Sequence, residues 1–531
     1  MSLSVVRENK LERDDLLSIL KNEQTLWDVL VIGGGATGLG IAMDAVSRGY
    51  KTLLIEQADF AKGTSSRSTK LVHGGVRYLA QGDVKLVREA SIERGLLCQN
   101  APHLVKNQTF IIPIYSYWDR LKYTIGLKLY DWIAGKLSLG SSIFISREET
   151  LAKLPGVKSQ NLIGGVQYHD GQFDDSRLAI NLVQSIIQNG GCAINYMKVT
   201  GLLKNEQQQV AGATIEDAET GNTYMIKAKA VVNATGVFVD SILHMDNPSS
   251  PKSICVSQGV HLVLDKKFYP SEHALMIPET SDGRVLFAVP WHDKVVVGTT
   301  DTPIEEASLE PQALEKEISF ILETASTYFI EKPKRSDVLS VFAGLRPLAA
   351  PQNGEQKTKE ISRSHKIMIT PSGLFTILGG KWTTYRKMGE DMVDLIEKQL
   401  HWPHKKTATA HMHIHGYTEK VNWSDPLYFY GSDAQLIKLQ MNGSAGQWIS
   451  ESLKIHKQQV RWAVEHEMAR TVEDVLARRT RALLLNAKES IRIAPQIASL
   501  MASALQKDEK WEQEQVAQFT QLAHQYLLKQ N

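Results

Sequence analysis

Three glycines at the end of an apolar run are the first residues of this chain placed to do chemistry. Residues 29–32 (Val-Leu-Val-Ile) read as a buried parallel strand that runs directly into Gly33, Gly35 and Gly38 at the G-x-G-x-x-G spacing. A helical pattern follows (Ile41, Ala42, Ala45, Val46), then Gly49, then a second apolar strand over residues 52–55 that ends in Glu56. A strand, a glycine turn and a helix N-terminus together seat a dinucleotide pyrophosphate, because the free N–H groups and the helix dipole both favour an anion there. Gly33 permits the tight turn, Gly35 the close approach of backbone to phosphate, and Gly38 the packing of helix on strand. Glu56 is placed to accept hydrogen bonds from a ribose.

Three further glycine-marked segments extend this chemistry from a dinucleotide toward a flavin. Residues 63–78 form a polar loop in which Thr64, Ser65, Ser66 and Ser68 can bond a pyrophosphate or a ring edge. In the same loop His73 precedes Gly74 and Gly75, which permit close approach of backbone to a flat ring. Residues 230–236 read as an apolar strand ending in Ala234, Thr235 and Gly236, suited to passing beneath the dinucleotide. At 379–386, Gly380, Lys381 and Thr383 open another helical pattern, where N–H donors are again unsatisfied.

With these residues in place the chain resembles the FAD-dependent glycerol-3-phosphate dehydrogenases. The similarity rests on segments 32–44, 64–79, 233–236, 290–301, 340–348 and 379–387, with a C-terminal stretch at 464–481, and spans about residues 27–481. Its most specific parts are Lys70-Leu-Val-His-Gly-Gly-Val-Arg-Tyr78, Gly344-Leu-Arg-Pro347 and Gly380-Lys-Trp-Thr-Thr-Tyr385. The resemblance implies FAD as cofactor and oxidation of sn-glycerol 3-phosphate to dihydroxyacetone phosphate. It also implies hydride transfer from C2 to flavin N5, and electrons passed on to a membrane quinone. The alternative is a glycerol-3-phosphate oxidase that uses oxygen. Oxygen-using members often carry an insertion before the C-terminal domain, and the short span between Arg346 and Lys381 leaves little room for one. A flavin-carrying interaction module with no substrate of its own is disfavoured, because it would need no anion pocket.

A glycerol phosphate carries about two negative charges, so its enzyme needs several fixed cations around one pocket. Arg77, Arg346, Arg363 and Lys381 are the candidates, with the Tyr78 hydroxyl as an additional donor to the phosphate. Arg77, Arg346 and Lys381 each lie beside a glycine turn that also approaches the cofactor. Oxidising the C2 alcohol also requires a base, and two histidines qualify, both with the neutral-range titration that suits the role. The resemblance puts His261 on the substrate side and favours it slightly. His73 reads rather as a residue that orients the flavin, and the sequence leaves both open. His411, His413 and His415 alternate along one face without a carboxylate or cysteine and read as solvated, so no metal is expected.

The elements that must position these groups are legible in outline. The fold class is α/β: a Rossmann-like FAD-binding domain, an antiparallel-sheet substrate layer and a C-terminal all-helical domain. Residues 1–26 read as an N-terminal extension and 27–401 as the FAD-binding domain. Substrate-binding cap segments are threaded through that domain mainly at about 81–165 and 254–340. Residues 301–330 carry an amphipathic helix pattern, 402–424 a linker, and 425–531 the helical domain. A length of 531 residues with 43% hydrophobic content supports two or three domains with large cores. The net charge of +2 gives no electrostatic case for nucleic acid. Three unpaired cysteines fit a reducing compartment, and no apolar run is long enough to span a bilayer, so a cytoplasmic protein is expected.

One helical stripe stands apart. Trp118, Leu121, Ile125, Leu129 and Trp132 share a face flanked by Lys122 and Lys128. The plainer reading turns this stripe into the core. The other makes it an interfacial helix, peripheral on the inner face of the cytoplasmic membrane, where a quinone is reached. The family resemblance keeps that second reading in view and leaves room for a homodimer.

Overall fold

The computed structural model describes residues 13–22, 24–75, 79, 82–280, 282–350, 365–441 and 448–529. Five parallel strands lie side by side in the cofactor sheet, in the order Phe375–Leu378, Thr223–Asn233, Leu26–Ile32, Thr52–Ile55 and Cys192–Ile194. Val29, Leu30, Val31, Leu53 and Leu54 are fully buried, as strands covered on both faces must be. Helix Ala36–Ser47 follows the first strand and packs against helices Asp175–Gln188 and Tyr385–Gln399. Its approach to the second of these is close: a Cβ on Gly40 would lie 2.4 Å from the Tyr385 carbonyl oxygen. The N-terminal helix Arg13–Leu20 is docked rather than extended into solvent. Leu16, Leu17 and Leu20 join this core, and the Arg13 guanidinium donates to Asp217 at 2.7 Å.

A second sheet caps the first. Its path runs from strand Thr302–Ile304 through Ile254–Asp265, Lys294–Gly298, Leu286–Trp291, Ala274–Ile277, Val105–Ile114 and Gly164–Phe173 to Leu71–Val72. Strand Val338–Ala349 pairs along nearly the whole of Ile254–Asp265, with Ser257 opposite Arg346. The expected antiparallel layer is therefore present with one exception, since Ala274–Ile277 runs parallel to Val105–Ile114. The helix expected over 301–330 is shorter. Residues 302–304 belong to the sheet, and the helix occupies only Glu315–Tyr328, because Pro303 and Pro311 interrupt the pattern before it.

The C-terminal region is helical (Lys457–Glu467, Ala482–Leu485, Ala487–Leu505, Glu509–His524), with a π-helix at Asp474–Arg479 and a small hairpin, Trp448–Ser450 with Ile455–His456. The segment expected as a linker is a packed strap: Ile414 is buried, Asp44 accepts from the Thr407 and Thr409 hydroxyls, and Arg48 donates to the Lys405 carbonyl.

The aromatic stripe faces outward, which overturns the core-facing reading. Helix Tyr117–Ala134 buries Leu127, Tyr130 and Ala134, while Trp118 and Trp132 are 72% and 78% exposed and Leu121, Ile125 and Leu129 are exposed with them. Among the described residues no helix is long and apolar enough to cross a membrane.

Candidate active site

The two sheets enclose a cavity of about 710 Å³, a volume typical of a cofactor and substrate site. Its floor is the glycine turn. Gly33 has φ +113°, and a Cβ there would stand 2.7 Å from the Ala234 carbonyl oxygen, so the first strand and Thr223–Asn233 converge where only glycine fits. A Cβ on Gly38 would lie 1.9 Å from the Gly33 carbonyl oxygen, so helix and turn meet there with no room for a side chain. Gly35 precedes the first residue of the helix, whose N–H (Ala36) donates to Ser65 Oγ at 2.9 Å. At the end of the next strand Glu56 Oε2 accepts from Gly34 N at 2.7 Å and Oε1 from Ala58 N at 3.0 Å. Burial raises the Glu56 pKa against the pull of these two N–H groups. Each oxygen retains acceptor capacity for a ribose hydroxyl.

The polar loop divides between cavity and protein. Gly33, Gly35, Glu56, Thr64, Ser65, Ser68, His73, Ala234, Thr235, Gly236, Gly380, Lys381 and Thr383 line the cavity, as do His261 and Arg346. Ser66 is buried and gives its carbonyl to Lys70 Nζ at 2.7 Å, while the Ser68 hydroxyl donates to Asp175 at 2.7 Å. Gly74 does permit a close approach, but to the Tyr130 hydroxyl, 2.3 Å from where its Cβ would be. Gly75 takes φ +83° beside it. Two bonds tie the third glycine segment to this loop: His73 N donates to Thr383 Oγ1 at 3.3 Å, and Trp382 Nε1 to the Ser65 carbonyl at 2.8 Å. Arg77, Tyr78 and Arg363 lie outside the described residues.

At the cap end Arg346 and His261 come from neighbouring strands. The Arg346 guanidinium donates to Thr299 Oγ1 (3.2 Å), the Thr300 carbonyl (3.1 Å) and Asp301 (3.4 Å). It fits because residue 259 is glycine: a Cβ there would be 2.2 Å from Arg346 Nη2. His261 stacks on Phe342, with ring centroids 4.9 Å apart, and its Nε2 is hydrogen-bonded to Thr69 Oγ1 at 2.9 Å. Burial pushes its pKa well below the usual histidine value, and the Arg346 and Lys70 charges push the same way, so the imidazole is neutral. A neutral ring aimed at a cavity that also holds cations can accept a proton without first losing one.

Sequence reading missed Thr69, the Thr299–Asp301 acceptors and a set of buried ion pairs behind the loop. Lys70 is fully buried on Asp175 at 2.7 Å, and Arg481 reaches Asp174 at 3.0 Å. Asp59, just beyond Glu56, accepts from both Arg478 and Arg479 of the C-terminal domain at 2.5 Å. Thr69 lies inside the polar loop 63–78, and its place one residue after Ser68 is the local signal for it. The arginines gave none, since their partners are distant in sequence.

Comparison with known proteins agrees with this geometry. Residues 28–386 match the family model described as FAD dependent oxidoreductase, and residues 377–514 that of the C-terminal domain of alpha-glycerophosphate oxidase. The chain is 38% identical to a probable mitochondrial glycerol-3-phosphate dehydrogenase of Caenorhabditis elegans, over 93% of this chain and 72% of that protein. It is 36% identical to the mitochondrial glycerol-3-phosphate dehydrogenase of Homo sapiens, over 97% of this chain and 75% of that one. Its structure is similar to that of the Bacillus halodurans glycerol-3-phosphate dehydrogenase complexed with FAD, with TM-score 0.79 and 30% identity, covering 98% and 99% of the two chains.

Proposed function

From a chain that belongs to the FAD-dependent glycerol-3-phosphate dehydrogenases, we propose an enzyme that oxidises sn-glycerol 3-phosphate at C2 to dihydroxyacetone phosphate and delivers the electrons to a membrane quinone. The observation that carries the reading is one cavity holding a dinucleotide cradle, the buried His261 and the cations Arg346 and Lys381. The residues present fit FAD. Gly33, Gly35 and the start of helix Ala36–Ser47 would hold the pyrophosphate, Glu56 the ribose, and Ser65, His73, Ala234, Thr235, Gly236, Gly380 and Thr383 the rest of the dinucleotide. Bound there, FAD supplies the two-electron acceptor for the hydride that leaves C2.

The chain's own residues perform the remaining work. Arg346 and Lys381 bind and orient the substrate dianion, joined by Arg77, Tyr78 and Arg363. His261 takes the C2 hydroxyl proton at Nε2, the substrate hydroxyl replacing that of Thr69 as its partner, and the His73 backbone N–H holds the loop against Thr383. Anaerobic addition of glycerol 3-phosphate should bleach the oxidised flavin bands. Bands that stay oxidised refute the activity.

For the acceptor, the exposed face of helix Tyr117–Ala134 supports contact with a lipid surface. It offers Trp118, Leu121, Ile125, Leu129 and Trp132 to insert, with Lys122 and Lys128 exposed beside them to meet anionic headgroups. A quinone resides in such a bilayer, and the inner face of the cytoplasmic membrane is the surface this reading requires. Turnover with a short-chain quinone should exceed turnover with oxygen. Faster reduction of oxygen to hydrogen peroxide would make the protein an oxidase instead.

A further inference from the structure

Glu317 is a carboxylate buried among neutral donors. It lies in the first turn of helix Glu315–Tyr328 and is 2% exposed. Among the described residues no cation pairs with it. Oε1 accepts from the Thr300 and Thr302 hydroxyls at 2.7 and 2.6 Å. Oε2 accepts from Gln258 Nε2 at 2.8 Å and from Leu314 N at 3.0 Å. Burying a charge is costly unless every lone pair is used, and here four donors and a helix N-terminus offset the cost. Capping a short helix needs only the Leu314 bond. The other three reach out of the helix into the cap sheet.

Two of those three bonds, from Thr300 and Thr302, come from the loop that holds Arg346. Thr300 and Thr302 flank Asp301, and Thr299, Thr300 and Asp301 are among the acceptors of the guanidinium. Thr300 Oγ1 also accepts from Val260 N at 3.0 Å, which fastens the same loop to the strand that carries His261. Ser257, directly opposite Arg346 across the sheet, donates to Asp301 and closes the ring. The loop is thus gripped from behind by one carboxylate while its front grips the arginine.

We propose that Glu317 is a positioning residue for Arg346: its carboxylate fixes the 299–302 loop so that the loop's acceptors hold the guanidinium at the substrate cavity. The inference rests on the reading of Arg346 as a substrate cation. A guanidinium has five N–H donors in a rigid fork, so a loop that takes some of them determines where the rest point. Glu317→Gln keeps the size but turns one acceptor into a donor facing donors, which loosens the loop without opening a cavity.

The test is steady-state kinetics with glycerol 3-phosphate and a soluble dye on the holoenzyme, for wild type, Glu317→Gln, Arg346→Lys and the double variant. Flavin content and visible spectrum serve as the check on folding. Expected for Glu317→Gln is a KM raised about tenfold with kcat changed less than about threefold. In the Arg346→Lys background the same replacement should change KM by less than about twofold, because contacting residues in one network are not additive. Glu317→Asp, which keeps the charge, should recover part of the loss. A KM within about twofold of wild type for Glu317→Gln, or an equal rise in both backgrounds, overturns the inference. If Arg346→Lys itself leaves KM unchanged, the reading of Arg346 has failed and the inference with it. Should Glu317→Gln not bind flavin, Thr302→Val removes one donor to the same oxygen, and a KM unmoved by that change is the refuting result.

Discussion

Replacing Asp59 with asparagine should release FAD at a lower temperature than wild type, although Asp59 belongs to no part of the reaction. Its carboxylate is buried at the end of the strand that carries Glu56. It accepts from Arg478 Nε (2.5 Å), Arg479 Nη1 (2.5 Å) and Nη2 (2.9 Å), and Asn195 Nδ2 (3.2 Å). Burial alone would raise its pKa, but the Arg479 and Arg478 guanidiniums outweigh burial and hold it far below the usual carboxylate range. Removing this charge leaves Arg479 with its next carboxylate, Glu467, only at 3.9 Å, while Arg478 keeps Glu473 and Asp474; breaking a buried pair of this kind costs about 3–5 kcal/mol. In a chain of 531 residues about 1 kcal/mol shifts a melting midpoint by roughly 1 °C, so a fall on the order of 3–5 °C is expected. The assay is flavin fluorescence during a thermal ramp, with tryptophan fluorescence followed in parallel. The pH dependence has a fixed sign. With the folded pKa below the unfolded value of about 3.9, the stabilisation is present above that pH and drains as pH falls below it, so the gap between wild type and Asp59→Asn narrows in acid. A midpoint shift under about 1 °C at neutral pH, or a gap that widens in acid, refutes the reasoning.

Three further outcomes follow from the site. The acid limb of kcat/KM should lie below the ordinary histidine value of about 6.5, because His261 works deprotonated and its pKa is depressed; a limb at or above that value that survives in His261→Asn excludes it as the base. Arg346→Ala should raise the apparent constant for glycerol 3-phosphate by on the order of 2–4 kcal/mol while leaving glycerol about equally poor for both proteins. A proportional loss on both substrates would show that Arg346 does not read the phosphate. Replacing Trp118 and Trp132 with serine should free the protein from anionic liposomes and leave dye-coupled activity intact, since both side chains are already exposed; undiminished binding moves the membrane contact elsewhere.

What the sequence made legible is what the chain encodes over short distances. The turn at Gly33–Gly38 is specified by one strand, one helix and the steric limits between them, so its role follows from some two dozen residues, and the structure adds only the Ala234 carbonyl that makes Gly33 obligatory. The stripe on helix Tyr117–Ala134 was half legible. Its period defines a face, but Leu127, Tyr130 and Ala134 offer a second apolar face on the same helix, and only the sheet beneath decides which one is buried. The arginines at 478, 479 and 481 were illegible for a different reason. A basic run in a helical region has the composition of a solvated surface, and nothing local distinguishes it from three buried guanidiniums whose acids come from Asp59, Asp174 and Asp474. Glu317 is the extreme case. Taken alone it is an acid in a helix's first turn, favourable there through the dipole and in need of no other account. Its meaning depends on Thr300 and Thr302 arriving from one strand end, Gln258 from another, and Arg346 from a third. Motifs locate the groups that touch a ligand. The groups that aim them are chosen by tertiary pairing, and in this fold that pairing joins the cap sheet and the C-terminal domain to the same cavity.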